Sequence, residues 1–139
     1  MKVFKNKGLK DFNQYGVNTK AKYFIEIDSE NDISSLLESE YLNEERILIL
    51  GEGNNILFVN DFNGTIIKPA IKGKIVVKED KKNVWIKAYC GENWDKFVRW
   101  CVKNNYQGVE NMVDIPGNIG GVVSQSIGAY GQNIMDAVE

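Results

Sequence analysis

Apolar and polar residues alternate in the first half of the chain in a pattern that predicts a strand, a helix and a second strand. Residues 21–27 alternate as a half-buried strand does, and a second strand is predicted over residues 46–50, of which 47–50 form an apolar run typical of a buried strand. Between them, Ser29 followed by Asp32 is an acidic form of the capping box, which begins a helix over about residues 30–41. The apolar face of that helix consists of Ile33, Leu36 and Leu37. This order predicts a small βαβ unit with a parallel pair of strands.

The second half of the chain has the pattern of a mainly antiparallel unit. Short strands are predicted over residues 64–67, 71–79 and 84–89, and the polar residues 80–83 favour a turn that joins the last two as a hairpin. A helix is predicted over about residues 93–104. The apolar stripe of this helix consists of Trp94, Phe97, Val98, Cys101 and Val102.

The two patterns together predict an α+β chain of two subdomains, residues 1–63 and residues 64–139. Residues 136–139 have the character of a strand that is just beginning, and no capping or turn signal accompanies them. We therefore expect the second subdomain to be incomplete at its C-terminal end and the sequence to be part of a longer protein.

Composition excludes several classes of protein and several kinds of site. The net charge is −2 and the basic residues are scattered, which disfavours nucleic acid and anionic membranes as partners. Because there is neither a membrane-spanning apolar run nor a signal peptide, the cytoplasm is the expected location. The chain has no His, which excludes His-dependent triads, and its two cysteines are too few for a metal cluster. We interpret Cys90 and Cys101 as reduced, buried residues.

Residues 51–55, with the sequence GEGNN, interrupt the apolar pattern and are called the glycine loop below. Gly and Asn tolerate positive φ angles, so backbone N–H groups can converge on phosphate oxygens without an intervening Cβ atom. Asn54 and Asn55 add side-chain donors, whereas the carboxylate of Glu52 should point away from a phosphate. The loop therefore indicates an anion-binding nest at the end of a strand, and a tight strand-to-strand connection is the alternative.

A second glycine-rich segment covers residues 108–131 and is too apolar for a disordered linker. Within it, residues 117–121 follow Pro116 and could begin a short helix whose N-terminus attracts an anion. Residues 128–131 are a third element suited to close approach of a ligand, although Tyr130 could equally be an ordinary ring at a loop edge. None of these is a P-loop or a Rossmann fingerprint, and each alone has low specificity.

Together and in order, four motifs resemble the FAD-binding domain of the UDP-N-acetylenolpyruvoylglucosamine reductase (MurB) family. They are LGEGNNILF, GENWDKFVRWCV, GVENMVDIPGNIGG and IGAYG, and the segment GVNTKAKYFIEI is similar to the family's opening Asn-Thr segment. The resemblance implies the FAD-binding fold of the vanillyl-alcohol-oxidase (PCMH) type. In that fold a small βαβ subdomain is followed by a second, mainly antiparallel α+β subdomain, and the flavin is held between them.

The resemblance also implies which residues meet the cofactor. The glycine loop would bind the pyrophosphate through backbone amides, and two stretches, residues 115–117 and residues 120–121, would line the diphosphate and flavin. Residues 125–128 would run beside the isoalloxazine, and Tyr130 would face the substrate. The implied cofactor-binding residues are Gly51, Glu52, Gly53, Asn54, Asn55, Ile56, Ile115, Pro116, Gly117, Gly120, Gly121, Gln125, Ser126, Ile127, Gly128 and Gly131. Departures from the family pattern, which affect the flavin ring more than the phosphate site, occur at Asn54, Val122, Val123 and Ser126.

The activity implied by the resemblance is that of an NADPH-dependent flavoenzyme of peptidoglycan synthesis. Such an enzyme converts UDP-N-acetylglucosamine enolpyruvate to UDP-N-acetylmuramate. The family's proton-transfer residues would lie beyond residue 139, so this chain is expected to bind FAD without turnover. A sheet that lacks its later strands exposes an edge, and we therefore expect self-association.

Three other functions remain open on the residues alone. One is a flavoprotein oxidase of the same fold, although the absence of His disfavours a His-linked flavin. Another is a non-redox module that binds a nucleotide or a sugar nucleotide. The third is an interaction domain anchored by Trp85, Tyr89 and Trp94, for which the alternative is that these rings belong to the core.

Overall fold

The computed structural model describes all residues from 1 to 139, and a four-stranded sheet organises the first 71 of them. The strands are β1 (Lys2–Gly8), β2 (Lys20–Ile27), β3 (Ile47–Ile49) and β4 (Phe62–Pro69). Their order is β1-β2-β4-β3, with β1 antiparallel to β2 and the other three strands parallel. Because β4 pairs with β2 and β3, the first unit extends to Ile71, and the boundary expected after residue 63 is too early.

The predicted strand, helix and second strand are present, but the two strands are not neighbours. β2 and β3 run parallel, as predicted, and β4 lies between them. Residues 64–67 of β4 are all buried, as expected for a central strand that is covered on both faces. The apolar pattern of residues 64–67 therefore predicts a strand correctly. The position of that strand in the sheet depends on pairing with β2 and β3, which are distant in the sequence.

Helix α1 (Glu30–Leu37) begins at the predicted capping box. Ser29 Oγ accepts a hydrogen bond from the N–H of Asp32 at 3.3 Å, and the carboxylate of Asp32 accepts one from the N–H of Ser29 at 3.2 Å. The ammonium group of Met1 also donates to Asp32 and holds the pKa of that carboxyl at about 2. The entry of the helix is thus fixed by the residues that predicted it.

The end of α1 differs from the prediction, because the helix stops at Leu37 and does not reach residue 41. Ser39 terminates it by turning back on the carbonyl of Leu36, to which its N–H donates at 3.0 Å and its Oγ at 2.6 Å. Leu36 is buried as predicted, whereas Ile33 and Leu37 are exposed. The shorter helix therefore packs on the sheet mainly through Leu36.

The apolar run before the glycine loop is an edge strand and is not buried throughout, contrary to the prediction. Ile47 and Ile49 are 45% and 70% exposed, while Leu50 is buried. After the loop, residues 56–59 form no strand, and Phe58 alone among them is buried. The loop therefore connects a short edge strand to an irregular segment.

Two buried clusters stabilise the first unit, one on each face of the sheet. The cluster nearer the 3-10 turn Lys10–Phe12 consists of Leu9, Ala21, Phe24, Leu50, Phe58 and Ile66. The cluster beneath α1 consists of Ile25, Ile27, Leu36 and Ile67. Adjacent residues of β2 and of β4 thus enter opposite clusters, as the alternation of side chains along a strand requires.

The second unit, residues 72–139, contains the predicted hairpin and helix. Its elements are β5 (Lys74–Glu79), β6 (Val84–Ala88), α2 (Trp94–Lys103), α3 (Ile119–Ser124), β7 (Gly128–Ala129) and β8 (Gln132–Asn133). β5 and β6 are antiparallel, and Asp80 closes their turn by accepting hydrogen bonds from two backbone N–H groups. Residues 134–136 form a 3-10 turn, so the strand expected near the end of the sequence is absent.

One buried cluster organises this second unit around α2. It consists of Trp94, Phe97, Val98, Cys101, Val109, Met112, Val122 and Ile134. The predicted stripe of α2 is confirmed except for Val102, which is 51% exposed. Trp94 is only 1% exposed and its indole N–H donates to the carbonyl of Met112 at 2.8 Å, so this ring belongs to the core and is not a surface anchor.

Both cysteines are free thiols, and only one of them is buried as predicted. Burial raises the pKa of the Cys101 thiol to about 11, which keeps it protonated and inert at neutral pH. Cys90 is only partly buried. None of the three helices has the length and apolar content that a membrane crossing needs.

Candidate functional site

The glycine loop lies at the carboxyl ends of the parallel strands of the first unit. The N–H of Leu50, the residue before the loop, donates to the carbonyl of Ile67 in β4 at 2.8 Å. In open sheets with parallel strands, ligands bind beyond the carboxyl ends of the strands. The position of the loop in the fold is therefore one at which a ligand is expected.

Two carbonyls of the glycine loop face donors of the chain itself. The carbonyl oxygen of Gly51 accepts a hydrogen bond from Lys68 Nζ at 2.7 Å, and that of Gly53 accepts one from the N–H of Gln14 at 3.0 Å. Every peptide bond in the chain is trans, so the N–H that follows each carbonyl points in the opposite direction. The N–H groups of Glu52 and Asn54 therefore point away from Lys68 and Gln14.

Gly53 is required by the chain's own packing. Its φ is +73°, and a Cβ atom at this position would lie 2.0 Å from the carbonyl oxygen of Phe12. The turn beneath it is held by Asn13, whose side chain accepts from the N–H of Val17 at 3.0 Å and donates to the carbonyl of Leu9 at 2.7 Å. The sequence suggested that the absence of a side chain at Gly53 makes room for a ligand. In the structure, the backbone of Phe12 occupies that space.

The polar side chains of the loop differ in their surroundings. The carboxylate of Glu52 pairs with Lys68 Nζ at 3.1 Å and is 46% exposed. Asn54 Oδ1 is buried and has no hydrogen-bond donor in the chain, while Asn55 makes an interaction within the protein. Ile56, which follows the loop, packs against the cluster that contains Phe58. A buried acceptor without a donor is a place at which a bound molecule can supply one.

The second predicted segment, residues 115–121, is held against the start of α2 by backbone hydrogen bonds. The N–H of Trp94 donates to the carbonyl oxygen of Gly117 at 3.0 Å. In the other direction, the N–H of Ile119 donates to the backbone carbonyl oxygen of Glu92 at 3.0 Å, and the N–H of Gly120 donates to the carbonyl oxygen of Cys90 at 2.9 Å. A Cβ atom on Gly120 would lie 3.0 Å from the Cβ of Cys90, so a side chain here would press on Cys90.

Helix α3 begins as predicted after Gly117, but its first amides already have partners. Asn118 is its N-cap and is 2% exposed, and its Oδ1 accepts from the N–H of Gly121 at 2.9 Å. Since the N–H groups of Ile119 and Gly120 are also used, three consecutive amides donate within the chain. An anion at this turn would have to displace these acceptors.

The third segment forms a hairpin with Tyr130 and Gly131 as its two turn residues. Their φ angles are +51° and +84°, as a two-residue hairpin turn between β7 and β8 requires. Tyr130 is 91% exposed at the tip. Before the hairpin, the N–H of Ile127 donates to Val122 of α3 at 3.2 Å, which joins this segment to the preceding one.

Two exposed residues, Gln125 and Ser126, connect α3 to this hairpin. Ser126 has a φ of +48°, and its Oγ lies within hydrogen-bond distance, 3.3 Å, of Asn133 Oδ1. Gln125 also has an interaction within the chain. Gly128 is confined by the hairpin, because a Cβ atom there would lie 2.8 Å from the carbonyl oxygen of Gln132.

Glu92 supports the segment that holds α3 in place. Its carboxylate, 14% exposed, accepts from the N–H of Gly73 at 3.0 Å and from Lys74 Nζ at 3.0 Å. Burial alone would raise the pKa of Glu92, but these two hydrogen bonds outweigh it and leave the pKa below its usual value. A carboxyl with a lower pKa in the folded than in the unfolded state stabilises the fold above its unfolded pKa, and this contribution is lost as the pH falls through the folded pKa.

Replacing Glu92 with Gln is therefore expected to destabilise the second unit in a pH-dependent way. We expect the free energy of unfolding to fall by about 1 kcal/mol at neutral pH, where the charge-assisted hydrogen bonds are lost. The difference from the unaltered chain should shrink as the pH falls below the usual titration range of a Glu carboxyl, because the lowered pKa of Glu92 means that it loses its charge only there. Urea denaturation between acidic and neutral pH measures this difference in the free energy of unfolding. The control is Glu79→Gln, at an exposed position of β5. A difference that does not change with pH would contradict this role.

The structure brings the predicted residues together within two separate units. The glycine loop belongs to the first unit, and the segments at 115–121 and 125–131 belong to the second. Sequence reasoning missed Lys68, Gln14 and Glu92, which hold the two loops. One sequence signal for Lys68 was available. It is the penultimate residue of β4, and β4 is parallel to β3, the strand that precedes the loop.

The comparisons with known proteins concern nearly the whole chain. Residues 21–139 match the family model described as FAD binding domain. The chain is 42% identical to a UDP-N-acetylenolpyruvoylglucosamine reductase from Flavobacterium johnsoniae over 98% of its own length and 40% of that protein. It is 37% identical to a reductase of the same name from Aliivibrio fischeri, over its full length and 40% of that protein.

A solved structure has the same fold. It is the crystal structure of UDP-N-acetylenolpyruvylglucosamine reductase (MurB) from Thermus caldophilus, with a TM-score of 0.70 and 19% identity over 97% of this chain and 45% of that one. The chain thus spans about 40% of the length of the curated relatives it matches. The resemblance carried by the four motifs and the predicted α+β fold of the FAD-binding type are confirmed. Since the family model covers everything after the first 20 residues, the chain belongs to the family of FAD binding domains.

Proposed function

We propose that this chain is the FAD-binding portion of a reductase that converts UDP-N-acetylglucosamine enolpyruvate to UDP-N-acetylmuramate. The similarity to reductases of that name over almost the whole chain supports the proposal. The observation that carries it is the glycine loop, in which the carbonyls of Gly51 and Gly53 are bound by the chain's own donors. A diphosphate has acceptor oxygens only, so it requires a surface of N–H groups from which carbonyls are turned away.

The loop also fits the sugar-like parts of FAD. Asn54 Oδ1 is a buried acceptor without a donor, and the ribityl and ribose groups of FAD carry hydroxyls that can donate. We assign the diphosphate to the N–H groups of Glu52 and Asn54, with Asn55 and Ile56 at the border of the same site. Because Glu52 pairs with Lys68, its carboxylate is compatible with a neighbouring anion.

We assign a different role to the segments of the second unit. Gly120 and Gly121 use their N–H groups within the chain, so their contact with FAD would be through the small surface that they present. For Ile115, Pro116 and Gly117 we likewise propose van der Waals contact with FAD. Beside the flavin ring we place Gln125, Ser126, Ile127, Gly128 and Gly131. Tyr130, exposed at the hairpin tip, is assigned to the substrate side.

The remaining parts of the reaction are assigned to the intact protein. When bound, FAD supplies hydride-transfer chemistry, for which we propose NADPH as the donor and the enolpyruvyl group of the UDP-sugar as the acceptor. No residue from 1 to 139 is assigned a proton-transfer role. We propose a cytoplasmic location, in which the free thiols Cys90 and Cys101 stay reduced.

The proposed function predicts that the purified chain binds FAD more tightly than riboflavin, which has the same ring but no diphosphate. We expect a Kd for FAD that is lower by about tenfold or more, since the diphosphate would accept charge-assisted hydrogen bonds from the loop. Quenching of flavin fluorescence during titration measures both constants. Equal affinity for the two compounds, or binding of neither, would contradict the proposal, and preference for a UDP-sugar alone would favour a non-redox nucleotide module.

Self-association is proposed from the hairpin of the second unit. β5 pairs only with β6, and Ile75, Val76 and Val77 are 40–56% exposed along it. Such an unpaired apolar edge accepts another strand readily. Size-exclusion chromatography with light scattering, run over a range of protein concentrations, tests this self-association. A monomeric mass at every protein concentration would contradict it.

A further inference from the structure

We propose that Lys68 is a positioning residue for FAD, which fixes the orientation of the glycine loop and offsets the charge of Glu52. This inference rests on the proposed function of the loop. Lys68 lies in β4, the strand that runs parallel to β3 and ends beside the loop. Its side chain is 15% exposed, and its Nζ lies 2.7 Å from the carbonyl oxygen of Gly51 and 3.1 Å from Glu52 Oε1.

The first consequence concerns the direction of the peptide group between Gly51 and Glu52. An ammonium group has donors and no acceptor, so it binds the carbonyl side of a peptide and never the N–H side. With the Gly51 carbonyl held by Lys68, the N–H of Glu52 points away from it. Without Lys68, rotation of this peptide group could present the carbonyl oxygen to the diphosphate, which would repel it.

The second consequence concerns charge. Glu52 is the one acidic residue among residues 51–55, and its carboxylate is 46% exposed. A carboxylate in the loop disfavours a bound diphosphate unless a cation compensates it. Lys68 reaches both the carbonyl and the carboxylate, so one side chain performs both tasks.

The test compares three variants of the chain in FAD titrations. Lys68→Met keeps the unbranched apolar stem of the side chain and removes its charge and its donors, and we expect the Kd for FAD to rise about tenfold. The matched control is Lys22→Met, which breaks a pair with Glu44 elsewhere in the same unit. The double variant Lys68→Met/Glu52→Gln removes the uncompensated carboxylate. Its Kd for FAD should be lower than that of Lys68→Met by about twofold or more.

The outcomes separate this inference from the proposed function. A Kd for Lys68→Met within about twofold of the Lys22→Met value, or a double variant that binds no better than Lys68→Met, would overturn the inference while leaving FAD binding intact. If the unaltered chain binds no FAD, the proposed function fails. In that case amide hydrogen exchange of the ligand-free chain decides the positioning role: faster exchange at residues 51–55 in Lys68→Met than in Lys22→Met supports it, and equal exchange overturns it.

Discussion

Replacing Gly53 with Val is expected to unfold the first unit or to leave it barely stable. Gly53 has a φ of +73°, and the new Cβ would lie 2.0 Å from the carbonyl oxygen of Phe12. The left-handed conformation and the overlap together should cost about 3 kcal/mol or more, a large part of the stability of a small domain. Urea denaturation followed by circular dichroism measures the loss.

The matched control for this prediction is Gly16→Val. Gly16 has a similar φ of +63°, but a Cβ atom there would meet nothing within 4 Å. We expect it to cost about 1–2 kcal/mol, which is the conformational part alone. Equal losses for the two variants would contradict the packing of Gly53 against Phe12. Because Gly53 packs against Phe12, loss of FAD binding in a Gly53 variant would report on folding and not on contact with the cofactor.

Replacing Trp94 with Ala is expected to have the largest effect in the second unit. The ring fills the centre of the cluster around α2, and its indole N–H binds the carbonyl of Met112, just before the segment that leads to Pro116. Removing it should cost about 3–5 kcal/mol, from lost burial and from the cavity that remains. Trp94→Phe keeps most of the ring and should cost about 2 kcal/mol, because the Met112 carbonyl loses its donor.

Circular dichroism during urea denaturation separates the two Trp94 variants from the unaltered chain. The predicted order of stability is unaltered chain, then Trp94→Phe, then Trp94→Ala. A loss of less than about 1 kcal/mol for Trp94→Ala would show that the ring is not a central part of the core. Such a result would reopen the interpretation of Trp94 as a surface anchor.

Elements whose pattern is local could be predicted from the sequence. The stripe of α2 repeats at helical spacing, and the β5–β6 hairpin has alternating strands on either side of a polar turn. Ser29 and Asp32 fixed the start of α1 for the same reason, since both partners of the capping box lie within one turn. β1 was missed because it is an edge strand whose residues are mostly exposed, so its apolar alternation is weak.

Features that depend on distant residues could not be predicted in this way. The glycine loop was found from its composition, but the reason for Gly53 is Phe12, which is distant in the sequence. Likewise, β4 lies between β2 and β3 through pairing that no local pattern encodes. Lys68 reaches the loop only because these parallel strands end together, so the placement of its charge follows from the fold.

Backbone amide chemical shifts of the isotope-labelled chain during addition of FAD test most directly whether the glycine loop binds the diphosphate. We expect the amide resonances of Glu52 and Asn54 to shift most within the first unit on addition of FAD, and to show no change in chemical shift on addition of riboflavin. Binding of FAD with no change at residues 51–55 would contradict it.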